Sequence, residues 1–189
     1  MNSIKSRLTL VSTIVLVIFM VLTAIALERA VVKRALKAEE DRLQLLIYGL
    51  LAAVERDISG LAITVANERV FERSLLTLGS GLSMLIYNQQ GKVIWSSPSV
   101  LHDFPDIEVL ALGDWRFKEL EQNDLPYFQM AFALQWPDVL NRLQPYRFVV
   151  WKNASQFYRD LERFRQTLWA WLIITTFLLL ILMYLVTKW

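Results

Sequence analysis

Hydrophobic and polar positions divide the chain into three stretches of different texture. Leu8 to Leu27 is a run of 20 residues without a charge, and Leu168 to Val186 is a second of 19. As helices these reach about 30 Å at ~1.5 Å per residue, the hydrocarbon thickness of a bilayer. Between them, apolar residues alternate with polar ones in short runs bounded by Gly and Pro, the texture of strands. The pattern predicts a polar domain held between two transmembrane helices.

The first run also fits a cleaved signal peptide, since Lys5 and Arg7 form a basic start and Ala24-Ile25-Ala26 has the small-x-small form of a cleavage site. Its length and the helical sequence that follows favour an uncleaved span. From Glu28 to Asp57 there is no Pro and one Gly, Gly49, so a helix can run straight out of the span. Leu36, Leu43 and Leu50 recur every seven residues, with Leu46 and Ala53 offset as a second position. Two readings of this stripe stand: a seam pairing with the same helix of a second copy, or a face packed on the chain's own domain.

Ser59-Gly60 is expected to end that helix. A short strand over Leu61 to Val65 and a helical stretch from Glu68 to Leu78 then lead to the break at Gly79-Ser80-Gly81. Leu82 to Trp95 reads as a hairpin with Asn88-Gln89-Gln90-Gly91 as its turn, and its position in the polar region predicts the centre of the sheet. Ser96 to Asp114 contains Pro98 and Pro105 and reads as an irregular connection. Trp115 to Glu121 and Tyr127 to Trp136 are the next strands. The second places Phe128, Met130, Phe132, Leu134 and Trp136 on one face, and the milder Gln129, Ala131, Ala133 and Gln135 on the other, which suits a partly solvated or helix-covered side. Pro137 and Pro145 bracket a connection before a last strand, Tyr146 to Trp151. Asn153, with Gln156 three residues on, is a cap for a helix that leads through Arg165 into the second apolar run. The fold class is therefore α/β in the α+β sense: an antiparallel sheet of five or six strands with long helices at both ends. The predicted organisation is a tail 1–7, a span 8–27, a domain 28–167, a span 168–187, and 188–189 as the start of a further part.

Composition sharpens this picture in three ways. Hydrophobic residues make up 55% of the chain and its mean hydropathy is +0.37, high for a water-soluble globule and explained by the two runs. The formal net charge of +2, with no basic stripe interleaved with aromatics, argues against nucleic acid as a partner. The absence of Cys excludes disulfides, thiolate nucleophiles and Cys-ligated metal. Two spans place both termini on one side. Lys5 and Arg7 favour a cytoplasmic start and an outer domain, although Arg29, Lys33, Arg34 and Lys37 crowd the far end of the first span.

A basic tail, a span, a helix entering an antiparallel sheet, a returning helix and a second span together resemble the sensor half of a bacterial two-component histidine kinase. The sheet is similar to the PAS-like periplasmic (PDC) sensor fold, and the PhoQ sensor kinases are the nearest resemblance. It is carried by LIYNQQGKVIW from Leu85 to Trp95, FVVW from Phe148 to Trp151 and Trp169-Ala170-Trp171 at the start of the second span. The resemblance implies a homodimeric receptor in the bacterial inner membrane with its large domain periplasmic. It also implies a cytoplasmic kinase part that uses ATP and passes phosphate to a cognate response regulator. The kinase elements are absent here: the single His, His102, lies in the Pro-containing connection, so this chain itself is not expected to phosphorylate anything. The alternatives are a sensor region of a chemoreceptor or cyclic-dinucleotide enzyme, or a non-signalling membrane-anchored assembly protein.

Acidic residues supply the candidate site. Between Asp103 and Asp138 stand eight acids against two basic residues. Hard cations take several oxygen ligands, so Asp103, Asp106 and Glu108, converging from one loop, are candidates for Mg or Ca as a signal, although their spacing matches no calcium-loop motif. PhoQ-like sensors imply divalent cations bridging to anionic lipid through a dense acidic run, and here the acids are dispersed. An exposed acidic loop is the plain alternative. Glu119 and Glu121 are further ligand candidates or mark an exposed strand end. His102 beside Asp103 is a candidate reporter of acidification, because an ordinary imidazole changes charge near neutral pH. Thr175 and Thr176, with Ser12 and Thr13, are candidate contacts between the apolar helices or bond to their own helix carbonyls. No nucleophile elbow, phosphate-cradling Gly loop or HExxH is present, so the outer domain is not expected to be an enzyme.

Overall fold

Successive side chains of a strand point to opposite faces, so a sheet covered differently on its two sides needs two different residue sets. The computed structural model describes residues 4–56, 63–65, 72–101, 104, 109–137 and 143–188. In chain order these form α1 (Ile4–Ala53), β1 (Val54–Arg56), β2 (Ile63–Val65), α2 (Arg73–Leu76), β3 (Leu82–Tyr87), β4 (Val93–Ser96), β5 (Trp115–Gln122), β6 (Leu125–Pro137), β7 (Leu143–Asn153) and α3 (Ser155–Lys188). The fold is mixed helix and sheet. Strands β3 to β7 make one five-stranded antiparallel sheet in the order β4-β3-β7-β6-β5, and β1 pairs with β2 in a separate two-stranded ladder. Two compact units result, one of Ala38–Gln156 and one of Met1–Lys37 with Phe157–Trp189.

The hairpin forms as its turn chemistry predicts. Asn88 Oδ1 accepts from the Gln90 and Lys92 N–H groups at 3.0 and 2.9 Å, and Gly91 takes the left-handed φ of 81°. Its place in the sheet differs from expectation. β4 is an edge strand, and the centre is β7, with β3 on one side and β6 on the other. β7 and β3 both carry unbroken buried runs, Arg147 to Trp151 and Leu82 to Tyr87, as strands paired and covered on both sides require, whereas β4 is mostly exposed.

Strand ends also depart from the proline markers. β6 runs to Pro137 and β7 starts at Leu143, pairing Pro137 with Leu143 and Gln135 with Pro145. β3 meets β7 only from Arg147 onward, so Pro145 has a sheet neighbour on one side alone and its missing N–H removes no second ladder bond. β5 and β6 join through Asn123 and Asp124, both at positive φ (52° and 61°), the two-residue turn whose twist matches antiparallel strands. The predicted helical stretch Glu68 to Leu78 shrinks, among its described residues, to the single turn Arg73–Leu76, because Thr77 is already extended and Gly79 and Gly81 take positive φ.

One face of the sheet carries Met84, Ile86, Phe128, Met130, Phe148 and Val150, all nearly or fully buried. The Ala38–Ala53 part of α1 covers it. Leu43, Ile47 and Leu50 are fully buried, Tyr48 meets Trp115 edge-on at 5.2 Å, and Glu39 pairs with Lys152. Of the two readings of the leucine stripe, Leu43 and Leu50 follow the domain-core one.

The other face overturns the expectation of a mild, partly solvated surface. Ala131 and Ala133 are 1% and 2% exposed, within a core of Leu85, Tyr87, Val149, Trp151 and Leu110 that Val100 and Phe104 also join. The alanines are small because their neighbours are large. Trp151 stacks on Phe104 at 4.7 Å, and the cover is the connection between β4 and β5, not a helix. Two buried serines hold the start of that cover. Ser97 Oγ accepts from Met84 N–H at 2.9 Å and lies 2.7 Å from Ser99 Oγ, while Ser99 N–H donates to Leu75 O.

The second unit consists of the first part of α1 antiparallel to α3. Thr13 meets Met183 at 3.3 Å, Thr176 meets Met20 at 3.5 Å and Arg165 meets Glu28 at 3.5 Å. A step of seven residues along α1, Thr13 to Met20, is matched by seven back along α3, Met183 to Thr176, the repeat of helices packed at a shallow angle. Ala24 is 2% exposed, as a small residue must be where two helices approach closely. Both helices are long and apolar enough to cross a membrane.

Candidate functional site

The connection from Ser96 to Asp114 carries, in sequence, His102 and the candidate acids Asp103, Asp106 and Glu108. Edge strand β4 delivers it and edge strand β5 receives it. Two of its described residues are fixed: Phe104 lies on Trp151, with its ring 6.1 Å from Tyr127, and Leu110 is 6% exposed in the same core. Between these anchors Val109 is 87% exposed and Leu101, before them, 56%. The loop is thus pinned by apolar residues and lifts others into solvent. A rigid sheet presenting a tethered loop is a common way to position recognition groups.

His102, Asp103, Asp106 and Glu108 lie outside the described residues. Among the described residues no group of three or more His, Asp or Glu side chains could hold a metal ion. Glu119 and Glu121 are both exposed on edge strand β5, opposite Phe128 and Pro126. By alternation they leave from the face of Trp115 and Phe117, whereas Phe104 and Leu110 cover the opposite face. The structure therefore does not gather these two glutamates with the anchors of the acidic loop. Their exposure is that of a charged edge strand, which discourages further strand pairing.

Beneath the loop the sheet face is aromatic and closely packed. Trp151 Nε1 is buried without a hydrogen-bond partner among the described residues. No nucleophile with a neighbouring base occurs in this part of the described structure. The arrangement can hold and orient a loop.

Among the polar groups of the apolar helices, Thr175 Oγ1 donates to Trp171 O at 2.8 Å and remains exposed. Thr176 Oγ1 donates to Leu172 O at 2.7 Å and also touches Met20 Sδ at 3.5 Å. A hydroxyl carries one proton, so the nearer carbonyl, the stronger acceptor, takes most of it. Sequence reasoning found the threonines and missed the methionines and the Glu28–Arg165 pair. Setting the two runs antiparallel and matching positions seven apart would have found them.

Comparison with family models, with curated proteins and with solved structures gives no match to this chain.

Proposed function

We propose that the chain is the signal-sensing and transmembrane-signalling region of a bacterial two-component sensor histidine kinase. On this reading a PAS-like domain is held outside the cell membrane between two transmembrane helices, and the receptor acts as a homodimer. The observation that supports it best is continuity. α1 is one unbroken helix from Ile4 to Ala53, and its Leu43, Ile47 and Leu50 belong to the core under the sheet. At the other end, central strand β7 passes into α3 through Ala154 alone, and Asn153 Oδ1 caps the Ser155 N–H at 2.8 Å.

A sensor of this kind needs such continuity. A ligand shifts a receptor only by binding two of its states with different affinity, and the difference must reach the far side of the membrane. Helices continuous with the sheet transmit rotation or translation, whereas a Gly- or Ser-rich linker absorbs both. The strand order, with the hairpin strands beside the last strand, supports the PAS-like resemblance. The loops between Ser96 and Asp124, the acidic connection before β5 above all, are the signal-facing region, and cations are the ligand class their charge favours. Dimerisation follows from the resemblance and not from Leu43 or Leu50, which are spent inside the domain. Kinase, ATP and response regulator belong to the cytoplasmic part that the resemblance implies.

The test needs no knowledge of the signal. Residues 1–189 are joined to the cytoplasmic core of a histidine kinase, and one to four alanines are inserted after Thr167, outside the second apolar run. If α3 transmits the signal, autophosphorylation in membrane vesicles changes by about fivefold or more with one or two insertions. It returns towards its starting level near four, about one helical turn. Output indifferent to all four insertions overturns the reading.

A further inference from the structure

Ile25, Glu28, Arg29, Val32, Lys33 and Leu36 follow one another at the three- and four-residue spacing of a single helix face. On α1 they line an open groove of about 400 Å³. The groove is mixed in a particular way: Ile25, Val32 and Leu36 give it an apolar floor, and Arg29 and Lys33 stand exposed along it. Its one acid is engaged elsewhere, since Glu28 pairs with Arg165 of α3.

The charge around the groove is one-sided. Residues 28–37 and 157–165, which belong to one unit, hold seven basic side chains and three acidic ones, a net charge of +4. The two acids of α3 are taken up within their own helix, Asp160 by Arg163 and Glu162 by Arg165. Arg29, Lys33 and Arg34 have no acidic partner among the described residues. As an orientation signal this excess opposes the Lys5 and Arg7 start of the chain. As a binding element it does not.

Height along α1 identifies the occupant. At ~1.5 Å per residue, Arg29 stands about 3 Å and Lys33 about 9 Å beyond Leu27, the last residue of the charge-free run. The headgroup zone of a bilayer extends about 5–7 Å beyond the hydrocarbon on each side. The two cations bracket the layer where lipid phosphates lie, and the apolar floor begins at Ile25, within hydrocarbon. We propose that this groove binds an anionic phospholipid, its acyl chain leaving past Ile25 into hydrocarbon and its headgroup phosphate between Arg29 and Lys33, against Val32. The proposal rests on the two-span reading above. It adds that α1 responds to the lipid composition of the leaflet on the domain side.

The test uses the full chain reconstituted in vesicles of phosphatidylcholine mixed with phosphatidylglycerol, with the annular lipid read by native mass spectrometry after extraction. A retained phosphatidylglycerol with a preference of about fivefold for each of the two cations is expected. Arg29→Gln/Lys33→Gln abolishes the preference, Arg29→Lys/Lys33→Arg restores it, and Lys92→Gln, on the hairpin of the sheet unit, leaves it intact. Glycerol phosphate and inorganic phosphate do not displace the lipid, because neither fills the apolar floor. An inserted chain that retains both lipids in the proportion supplied overturns this proposal alone. A chain stripped from the vesicles by alkaline carbonate overturns the two-span reading together with it.

Discussion

The two units use the same side chains in opposite ways. In the sheet unit Phe128, Phe148 and Trp151 are 0–1% exposed, and among the described residues every charged side chain except that of Arg147 reaches the surface. In the helical unit Phe19 and Phe177 are 68% and 65% exposed, while Ala24 lies inside at 2%. The rule that large apolar residues go inside is a statement about water as solvent. An exposed apolar surface on this scale exceeds what a water-soluble protein tolerates, unless lipid or another protein covers it. Inside the helical pair, where there is no hydrophobic drive if lipid surrounds it, close approach at small residues and a few polar contacts do the holding. The contrast between the units is thus the main structural support for the proposed membrane placement.

The sharpest way to break the comparison is to truncate matched aromatic residues. Trp151→Ala removes the ring on which Phe104 rests and opens a cavity in the loop-covered core, and is expected to cost about 3–5 kcal/mol. Phe177→Ala, in the helical unit, is expected to stay within about 0.5 kcal/mol, as exposed sites do. Denaturant unfolding of the full chain in detergent, followed by near-ultraviolet circular dichroism, reads both. Equal costs would mean that Phe177 is packed against protein and the units are not opposites.

The next effect concerns solvent directly. Phe19→Arg places a charge in the middle of the first apolar run, at a position that is exposed within the unit. If lipid surrounds that position, insertion becomes less favourable by about 2.5–3.5 kcal/mol. The fraction of full chain recovered in the membrane measures this. Unchanged membrane recovery, with better solubility, would place the helix in water and remove the contrast.

How much of this was legible depends on range. The hairpin turn could be read from Asn88 and Gly91, because its bonds close within five residues. The long strands could be read from alternation, and the two helices from their uncharged runs. The centre of the sheet could not, since the pairing of β3 with β7 joins residues sixty to seventy positions apart. Ala131 and Ala133 looked mild because a sequence shows their size but not the Trp151 and Phe104 that need the room. The leucine stripe of α1 was legible as a stripe, yet periodicity alone does not say what it faces. Of the candidate site, the acids were visible as composition, but convergence is a three-dimensional property. For Glu119 and Glu121 alternation already put them with Trp115 and Phe117. Only the anchors at Phe104 and Leu110 showed that the acidic connection is fixed to the other face.

The smallest effect tests what a hydroxyl does in each unit. Ser97 Oγ accepts the buried Met84 N–H at 2.9 Å, so Ser97→Ala leaves a donor with no acceptor and is expected to cost about 1–3 kcal/mol. Thr176→Val also removes a hydroxyl, but no donor is stranded. The Thr176 proton goes to Leu172 O at 2.7 Å, that carbonyl retains its place in the helix ladder, and the Met20 sulfur at 3.5 Å is a weak acceptor that loses little. Valine keeps the branched shape that fills the same space between the helices. The expected cost is about 0.6 kcal/mol, the average for polar contacts between helices in lipid. Both variants are compared by thermal unfolding of the full chain in one detergent. If Thr176→Val proves the more damaging, the interhelical hydroxyl is a true tie across the pair, and polar contacts rather than close packing at Ala24 hold the helices together.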